Sequence, residues 1–175
     1  MVLQALTEAV RQLIESEAGD LAPEVQVNLG FSLVDPTGPG DVAAFPTRIV
    51  RMGKNLLAPT GPAFGGSKHV AKIILTAQKT DPAIRSVMNI RFASRFIDRA
   101  RALGLSVEEF DRREEPREVK EKEGSSLEWG TAQAVARAGR VPDIIFDRGD
   151  MGKEPMIRIL GRDPREVVET ALKLL

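Results

Sequence analysis

Hydrophobic residues follow two different spacings along the chain. In residues 2–17 they recur at intervals of three and four, which predicts an amphipathic helix with one face against a core. In residues 25–33 every second position is apolar, and residues 86–92 repeat that alternation. This spacing predicts strands. We expect the first of them to be buried on one face, with small polar groups on the other face that could line a site.

Cap and stop signals predict four more helices. These signals are a Gly-Gly-Ser turn before a stripe running to about Lys79, Ser94 as a cap with Gly104 as a terminator, a Ser125–Glu128 capping box with closure at Gly139, and Asp163 as a cap before Pro164. Short strands are predicted at 43–50, 55–60, 105–110, 141–147 and 156–161. This order contains no strict β-α-β repeat, which favours a three-layer α/β/α sandwich with a mixed sheet.

Residues 112–124 are charged at nearly every position. Such a segment cannot itself form a core, so we interpret it as a solvated loop or linker. The alternative is a mobile flap over a site.

Composition narrows the function classes. The chain has 175 residues, equal numbers of basic and acidic residues, no cysteine and one histidine. This length predicts a single domain, 1–175, and the balanced charge argues against a nucleic-acid or membrane partner. The missing residue types exclude disulfides, thiolate sites and multi-histidine metal centres. No signal-peptide pattern opens the sequence, so we expect a cytoplasmic protein, and the excess of arginine over lysine is compatible with a thermophilic source.

Three glycine-containing turns lie at predicted helix starts or strand ends, where backbone N–H groups favour an anion. Their candidate phosphate-binding residues are Gly65, Gly66, Ser67 and Lys68 in the first turn, Gly124, Ser125 and Ser126 in the second, and Arg148, Gly149 and Lys153 in the third. Each could be an ordinary capped turn. Three in one small domain favour a ligand with more than one phosphate, although none matches a Walker A or dinucleotide-binding pattern.

Five further side chains are candidates for chemistry or binding. His69, at the second position of its helix, could be a neutral proton donor near phosphate or a surface residue. Arg48, placed on a strand, could bind phosphate bidentately or form a surface salt bridge. Trp129 could stack on a substrate ring or belong to the core. Asn89 and Arg91, on the second alternating strand, complete the binding set.

Carboxylates surround the third turn, at Asp147, Asp150 and Glu154. They follow a predicted buried strand, where α/β proteins commonly bind ligands. Carboxylate oxygens there could hold Mg²⁺ for a diphosphate. We therefore expect Mg²⁺ and no organic cofactor, with the metal ligands left open among these three residues.

Several motifs together are similar to one known family. They are NLGFSL, DVAAFPTRIVR, FGGSKHVAKIILTA, DPAIRSVMNIR, LGLSVEEFDRREEP, EGSSLEWGT and PDIIFDRGDMGKEPMIRILGRDPREVV. On these residues, from about residue 5 to the C-terminus, the chain resembles the archaeal-type thiamine-phosphate synthase domain, the ThiN family. The resemblance implies a class II aldolase (AraD)-like sandwich with a mixed, largely antiparallel sheet.

The resemblance also implies an activity. The family joins hydroxymethylpyrimidine diphosphate to hydroxyethylthiazole phosphate, which gives thiamine phosphate and diphosphate. The family's arginine in the RIV-type strand and its histidine in the SKH helix, both needed for activity, match Arg48 and His69. The glycines of the first turn would then cradle the diphosphate, and Lys153 with the second turn would hold the thiazole phosphate. A class II aldolase activity is excluded, because it needs several metal-binding histidines.

Family members occur fused to a pyrimidine kinase, or behind a DNA-binding helix-turn-helix in regulators that sense thiamine phosphates. The rival hypothesis is therefore a non-catalytic thiamine-phosphate sensor, and the presence of both Arg48 and His69 favours the enzyme. We expect small phosphorylated substrates, with a separate pyrimidine kinase as a candidate partner. The oligomeric state, a homo-oligomer included, stays open.

Overall fold

The computed structural model describes residues 1–122 and 125–175, and within these ranges seven strands form one sheet. Its strands are β1 (Asn28–Ser32), β2 (Val42–Ala44), β5 (Ala63–Phe64), β6 (Ser86–Arg91), β7 (Val107–Glu109), β8 (Ile144–Asp147) and β9 (Met156–Gly161). Their order is β5-β2-β1-β6-β9-β8-β7, and every neighbouring pair is antiparallel except β7 with β8. Strands β3 (Val50–Met52) and β4 (Asn55–Leu57) form a separate hairpin.

Helices cover both faces of this sheet. They are α1 (Val2–Ile14), α2 (Lys68–Gln78), α3 (Ser94–Ala102), α4 (Arg117–Glu121), α5 (Ser126–Ala138) and α6 (Pro164–Lys173). Helices α1, α3 and α6 contribute to one apolar core, while α2 and α5 contribute to a second core on the opposite face. The predicted three-layer α/β/α sandwich with a mixed, largely antiparallel sheet is confirmed.

Strand β1 lies inside the sheet between β2 and β6, and all five of its residues are buried. The prediction of a strand buried on one face is therefore wrong, because helices pack on both sides of it. Gly30 marks the closest approach of α2: a Cβ built there would lie 2.0 Å from Cγ1 of Val70. The glycine lets the first turn of α2, which carries His69, pack directly against the sheet.

Two of the helix N-terminal caps are present in the structure, and two predicted caps are not. The Ser67 hydroxyl accepts a hydrogen bond from the Val70 N–H at 3.3 Å, and Asp163 caps α6. Ser94 is the first residue of α3, whose N-cap is Ala93. Ser125 occupies the N-cap of α5 but makes no side-chain cap hydrogen bond, so the predicted capping box is wrong. Its backbone is already helical, whereas a side-chain cap requires an extended residue at that position.

Two further expectations are corrected by the structure. Arg48 does not lie on a strand; it ends a turn between β2 and β3 with a left-handed backbone, φ 62°. Residues 112–122 are not a uniformly solvated loop, since they form a short 3-10 turn and helix α4, and Arg112 and Glu115 are buried. The high charge of this segment did not predict its burial, because Arg112 forms an ion pair with Asp147 inside the protein.

Within the described ranges no helix is both long enough and apolar enough to cross a membrane.

Replacing Gly30 by alanine should lower the free energy of unfolding by about 1–3 kcal/mol, because the added methyl group overlaps a stiff valine in a packed core. Gly38→Ala is the matched control, since a Cβ there meets nothing within 4 Å and the backbone is extended. Chemical denaturation of both variants measures the difference. Equal stability of the two variants would contradict the close approach of α2 to β1.

Candidate active site

One cavity of about 330 Å³ lies where the starts of α2 and α5 meet the sheet. It is lined by Asn28, Asn89, Met156 and Arg158 from the strands, by Ser67, His69, Val70, Ile73, Ser126 and Leu127 from the helices, and by Val25, Arg48, Arg112, Lys153 and Glu154 from loops. One candidate residue from each of the three glycine-containing turns, namely Ser67, Ser126 and Lys153, therefore lines the same cavity. Sequence spacing suggested each of them separately, and the fold brings them together.

The cavity lining combines positively charged and apolar side chains. Four lining side chains are permanent cations at neutral pH and one is a carboxylate, namely Arg48, Arg112, Lys153 and Arg158 against Glu154. The apolar part comes from Val25, Val70, Ile73, Leu127 and Met156. Such a lining suits a flat heteroaromatic ligand that carries phosphate.

A buried cluster of two arginines and one aspartate forms the inner part of the cationic lining. Asp147 Oδ1 accepts a hydrogen bond from Arg112 Nε at 2.6 Å, and Asp147 Oδ2 accepts one from Arg158 Nη1 at 2.8 Å. The Gly149 N–H also donates to Oδ1, at 2.8 Å. The side chains of Arg112, Asp147 and Arg158 are 7%, 0% and 4% exposed. The carboxylate therefore holds both guanidinium groups in place at the cavity.

Phe110 supports the same two arginines from within the core. Its ring centre lies 5.5 Å from the guanidinium carbon of Arg112 and 5.3 Å from that of Arg158. Burial lowers the pKa of Arg158, while Asp147 opposes this shift and Arg112 adds to it. The sequence predicted a binding role for neither arginine. Arg112 lies in a segment with charge at nearly every position, and Arg158 lies on a strand whose neighbouring residues are apolar.

The start of α2 forms a second part of the lining, with Ser67 and His69. The N–H groups of Gly65 and Gly66, which were predicted to cradle phosphate, donate here to the carbonyls of Val42 and Ala63 at 2.9 and 3.1 Å. Gly66 is needed for packing, since a Cβ there would lie 2.4 Å from the Ala44 oxygen. Phosphate contacts from this turn are left to the Ser67 hydroxyl and the first turn of the helix.

Arg48 borders the cavity from an exposed loop, where its guanidinium donates to the Val25 carbonyl. Glu154 fixes the segment that carries this carbonyl, because its two carboxylate oxygens accept the N–H groups of Glu24 and Val25 at 2.7 and 3.2 Å. Arg48 is held in the left-handed region that favours glycine. Strain of this kind is often retained where it places a functional side chain.

The two asparagines of the lining are engaged with the backbone. Asn89 Oδ1 accepts the Asn28 N–H at 2.7 Å, and Asn89 Nδ2 donates to the Gln26 carbonyl at 3.0 Å. The Asn28 side chain exchanges hydrogen bonds with the backbone of Phe45 at 3.0 Å. These bonds hold residues 26–28 and 45 together, so Asn89 shapes the cavity wall.

Lys153 and Ser126 stand side by side at the start of α5. Lys153 Nζ donates to Ser126 Oγ at 3.1 Å and lies 3.8 Å from Oε2 of Glu115. Glu115 is a buried carboxylate, and neither of its oxygens accepts a hydrogen bond from residues 1–122 or 125–175. Lys153 is thus held between a cavity-lining hydroxyl and a buried negative charge.

Comparison with known proteins agrees with the family resemblance that the sequence motifs suggest. Residues 5–173 match the family described as "Thiamine-phosphate synthase ThiN". The chain belongs to the ThiN family. It is 39% identical over 173 residues to the thiamine-phosphate synthase ThiN of Methanothermobacter thermautotrophicus, covering 96% of this chain and 91% of that protein. It is 44% identical over 169 residues to the bifunctional thiamine biosynthesis protein ThiDN of Methanocaldococcus jannaschii, covering 96% of this chain and 39% of that protein.

Solved structures show the same relationship. The C-terminal domain of a phosphomethylpyrimidine kinase is 40% identical, with a TM-score of 0.94 over 99% of this chain and 98% of that chain. The l-fuculose-1-phosphate aldolase of Thermus thermophilus is 17% identical, with a TM-score of 0.50 over 98% of this chain and 87% of that chain. The second likeness concerns the fold alone, and it confirms the class II aldolase-like architecture of this ThiN-family chain.

Arg48 and His69, which the ThiN resemblance singled out, both line the cavity. Several other predicted binding residues do not. Arg91 pairs with Asp20, Arg148 pairs with Glu109, Trp129 packs edge-on against Phe110, and Lys68, Ser125 and Gly149 are not part of the lining. Gly124 lies outside the described residues. Arg91, Arg148 and Trp129 are each engaged by a protein partner outside the cavity lining, and their binding roles stay predictions.

The three carboxylates predicted to hold Mg²⁺ do not converge in this ThiN-family chain. Asp147 is enclosed by Arg112 and Arg158, and Glu154 accepts two backbone N–H groups. The pKa of Asp150 lies below its usual value, because its carboxylate accepts the Met151 N–H and lies near Lys120. Among residues 1–122 and 125–175 no group of three or more potential ligands could hold a metal ion. These residues do not fit a protein-held Mg²⁺ site.

The left-handed backbone of Arg48 predicts a difference between two substitutions that both remove its side chain. Arg48→Gly should unfold with a free energy about 1 kcal/mol higher than Arg48→Ala, because only glycine adopts that backbone without steric cost. Urea denaturation of the two variants measures this. If the alanine variant were as stable as the glycine variant, residue 48 would not be strained.

Proposed function

We propose that this chain is a thiamine-phosphate synthase that joins hydroxymethylpyrimidine diphosphate to hydroxyethylthiazole phosphate and releases diphosphate. The observation that carries the proposal is the cavity, whose lining combines four cationic side chains, two helix starts and five apolar side chains. A relative matched over 91% of its own length bears the name thiamine-phosphate synthase. Two phosphorylated heteroaromatic substrates need cationic side chains for their phosphates and apolar side chains for their rings.

The reaction places specific demands on this cavity. The bond between the pyrimidine methylene carbon and the diphosphate oxygen breaks, and its electron pair leaves with the diphosphate. The electron-rich aminopyrimidine stabilises the cationic carbon, and the lone pair of the thiazole nitrogen forms the new C–N bond. The protein must therefore neutralise charge that grows on the departing oxygens and keep water away from the carbon.

Arg48 and His69 meet the first demand. The Arg48 guanidinium can bind two diphosphate oxygens at once, and His69 donates a hydrogen bond or a proton to the leaving group. Ser67 and the positive end of α2 add to the same anion site. These groups stabilise the transition state more than the ground state, because the negative charge on the leaving oxygens increases as the bond breaks.

The apolar part of the lining meets the second demand. Val70 and Ile73 face the cavity from α2, Leu127 from α5 and Met156 from β9. Aromatic rings held against these side chains displace water, which would otherwise capture the cationic carbon and give a hydroxymethyl product. The thioether of Met156 is also a favourable neighbour for a ring.

Mg²⁺ enters this proposal as part of the diphosphate substrate. The described carboxylates do not form a site for it, so we expect the ion to be chelated mainly by the phosphate oxygens. Removing it with a chelator should lower turnover without unfolding the protein, which thermal melting in the chelator would check.

The alternative function is a sensor that binds thiamine phosphate without making it. Both matched relatives bear biosynthetic names, which favours the enzyme. A fluorescence assay for oxidised thiamine phosphate, with both substrates and Mg²⁺, separates the two functions. Product binding without product formation would support the sensor.

The relatives also suggest a partner. The ThiDN relative is bifunctional, and the matched solved structure is the C-terminal domain of a phosphomethylpyrimidine kinase. A pyrimidine kinase that supplies the diphosphate substrate is therefore the protein partner we propose. Both substrates are charged intermediates that do not cross membranes freely, so we place the reaction in the cytoplasm.

Replacing Arg48 or His69 by alanine should lower kcat by about 10²–10³-fold, because each removes one donor to the leaving diphosphate. Lys68→Ala is the matched control, since Lys68 neighbours His69 on α2 but is exposed and outside the cavity lining. Steady-state kinetics of the three variants, with circular dichroism for the fold, measures the effect. Near-normal turnover of both the Arg48 and the His69 variants would contradict their roles.

A further inference from the structure

The cluster of Arg112, Asp147 and Arg158 contains more positive than negative charge. Two guanidinium groups that are almost fully buried share one buried carboxylate. Buried charge is costly unless it is paired. Lys153 does not change this excess, because it lies 3.8 Å from the buried carboxylate of Glu115 and the two charges offset each other. One positive charge is therefore left over beside the cavity.

The cluster also has hydrogen-bond donors that the protein does not use. Asp147 engages Nε and Nη2 of Arg112 and Nη1 of Arg158. Arg112 Nη1 and Arg158 Nε and Nη2 make no hydrogen bond to any residue in 1–122 or 125–175, and both arginines line the cavity. Asp147 and the Phe110 ring fix the planes of the two guanidinium groups, so these donors are pre-organised for a ligand.

Ser126 and Lys153 extend this set of donors. Their polar atoms lie 3.1 Å apart at the start of α5, a helix of 13 residues, and both residues line the cavity. A phosphate monoester, with three terminal oxygens and a charge of about −1.5 to −2 at neutral pH, matches two guanidinium groups, an ammonium and a helix start. A diphosphate carries more charge and suits the exposed groups Arg48 and His69, from which it can leave.

We propose that Arg112 and Arg158, held by Asp147, bind the phosphate monoester of the thiazole substrate, which the product keeps. This assignment rests on the proposed synthase function. It divides the cavity into a buried subsite for the phosphate that stays and an exposed subsite, with Arg48 and His69, for the diphosphate that leaves. The thiazole nitrogen then approaches the pyrimidine carbon from the side opposite the leaving group.

Titration calorimetry with thiamine phosphate and with thiamine, which lacks only the phosphate, tests the assignment without requiring turnover. The wild-type chain should prefer thiamine phosphate. Arg112→Met should reduce that preference about 10- to 100-fold, the effect of losing hydrogen bonds to a charged group. This variant leaves Asp147 paired with Arg158, so no buried charge is orphaned. Arg48→Met is the matched control and should keep the preference, because the product carries no diphosphate.

Each outcome has a distinct meaning. An unchanged preference in Arg112→Met, or a loss confined to Arg48→Met, would overturn the assignment. If Arg112→Met does not fold, Arg112→Gln replaces it, and full preference in that variant would overturn the assignment too, because glutamine carries no positive charge to bind the phosphate. A wild-type chain that neither makes nor binds thiamine phosphate would contradict the synthase function itself. A chain that makes it but shows no preference over thiamine would contradict only the subsite.

Discussion

The ion pairs of Asp147 with Arg112 and Arg158 are the interaction on which the cavity depends. Asp147 ends β8, Arg158 lies on the neighbouring β9, and Arg112 opens the charged segment after β7. One buried carboxylate thus ties two strands and the following segment together, and Phe110 packs beneath both guanidinium groups. Gly130 of α5 allows this packing, since a Cβ there would lie 2.6 Å from the Phe110 ring. Packing and charge fix the donors before any ligand arrives.

The two proposed anion subsites differ in how the fold supports them. Arg112 and Arg158 are buried and held by a carboxylate, which suits a group that remains bound through the reaction. Arg48 stands on an exposed loop with a left-handed backbone, and its guanidinium donates to the Val25 carbonyl, in a segment that Glu154 anchors through two backbone N–H groups. In the proposed mechanism the exposed subsite releases its anion to solvent, and the apolar side chains of the lining hold the rings. This division explains why one small domain can handle two phosphorylated substrates.

Local sequence patterns predicted the elements and some of the site. Periodicity and glycine punctuation located most helices and strands, and the Ser67 cap placed His69 at a helix start. Local patterns did not predict the environment of side chains that pair with residues distant in the sequence. The sequence suggested Asp147 as a metal ligand and Arg112 as part of a solvated loop. These two side chains, 35 positions apart, form an ion pair in the interior. Asp20 likewise removes Arg91 from the site. Nothing in the neighbouring residues reports such pairings, because they depend on strand order.

A crystal structure of the chain with thiamine phosphate bound tests the central claim most directly. We expect the phosphate oxygens to lie within hydrogen-bond distance of Arg112 and Arg158, with the rings against Val70, Ile73, Leu127 and Met156. A ligand bound outside this cavity, or a phosphate on Arg48 with the buried arginines left without contact to it, would contradict the claim.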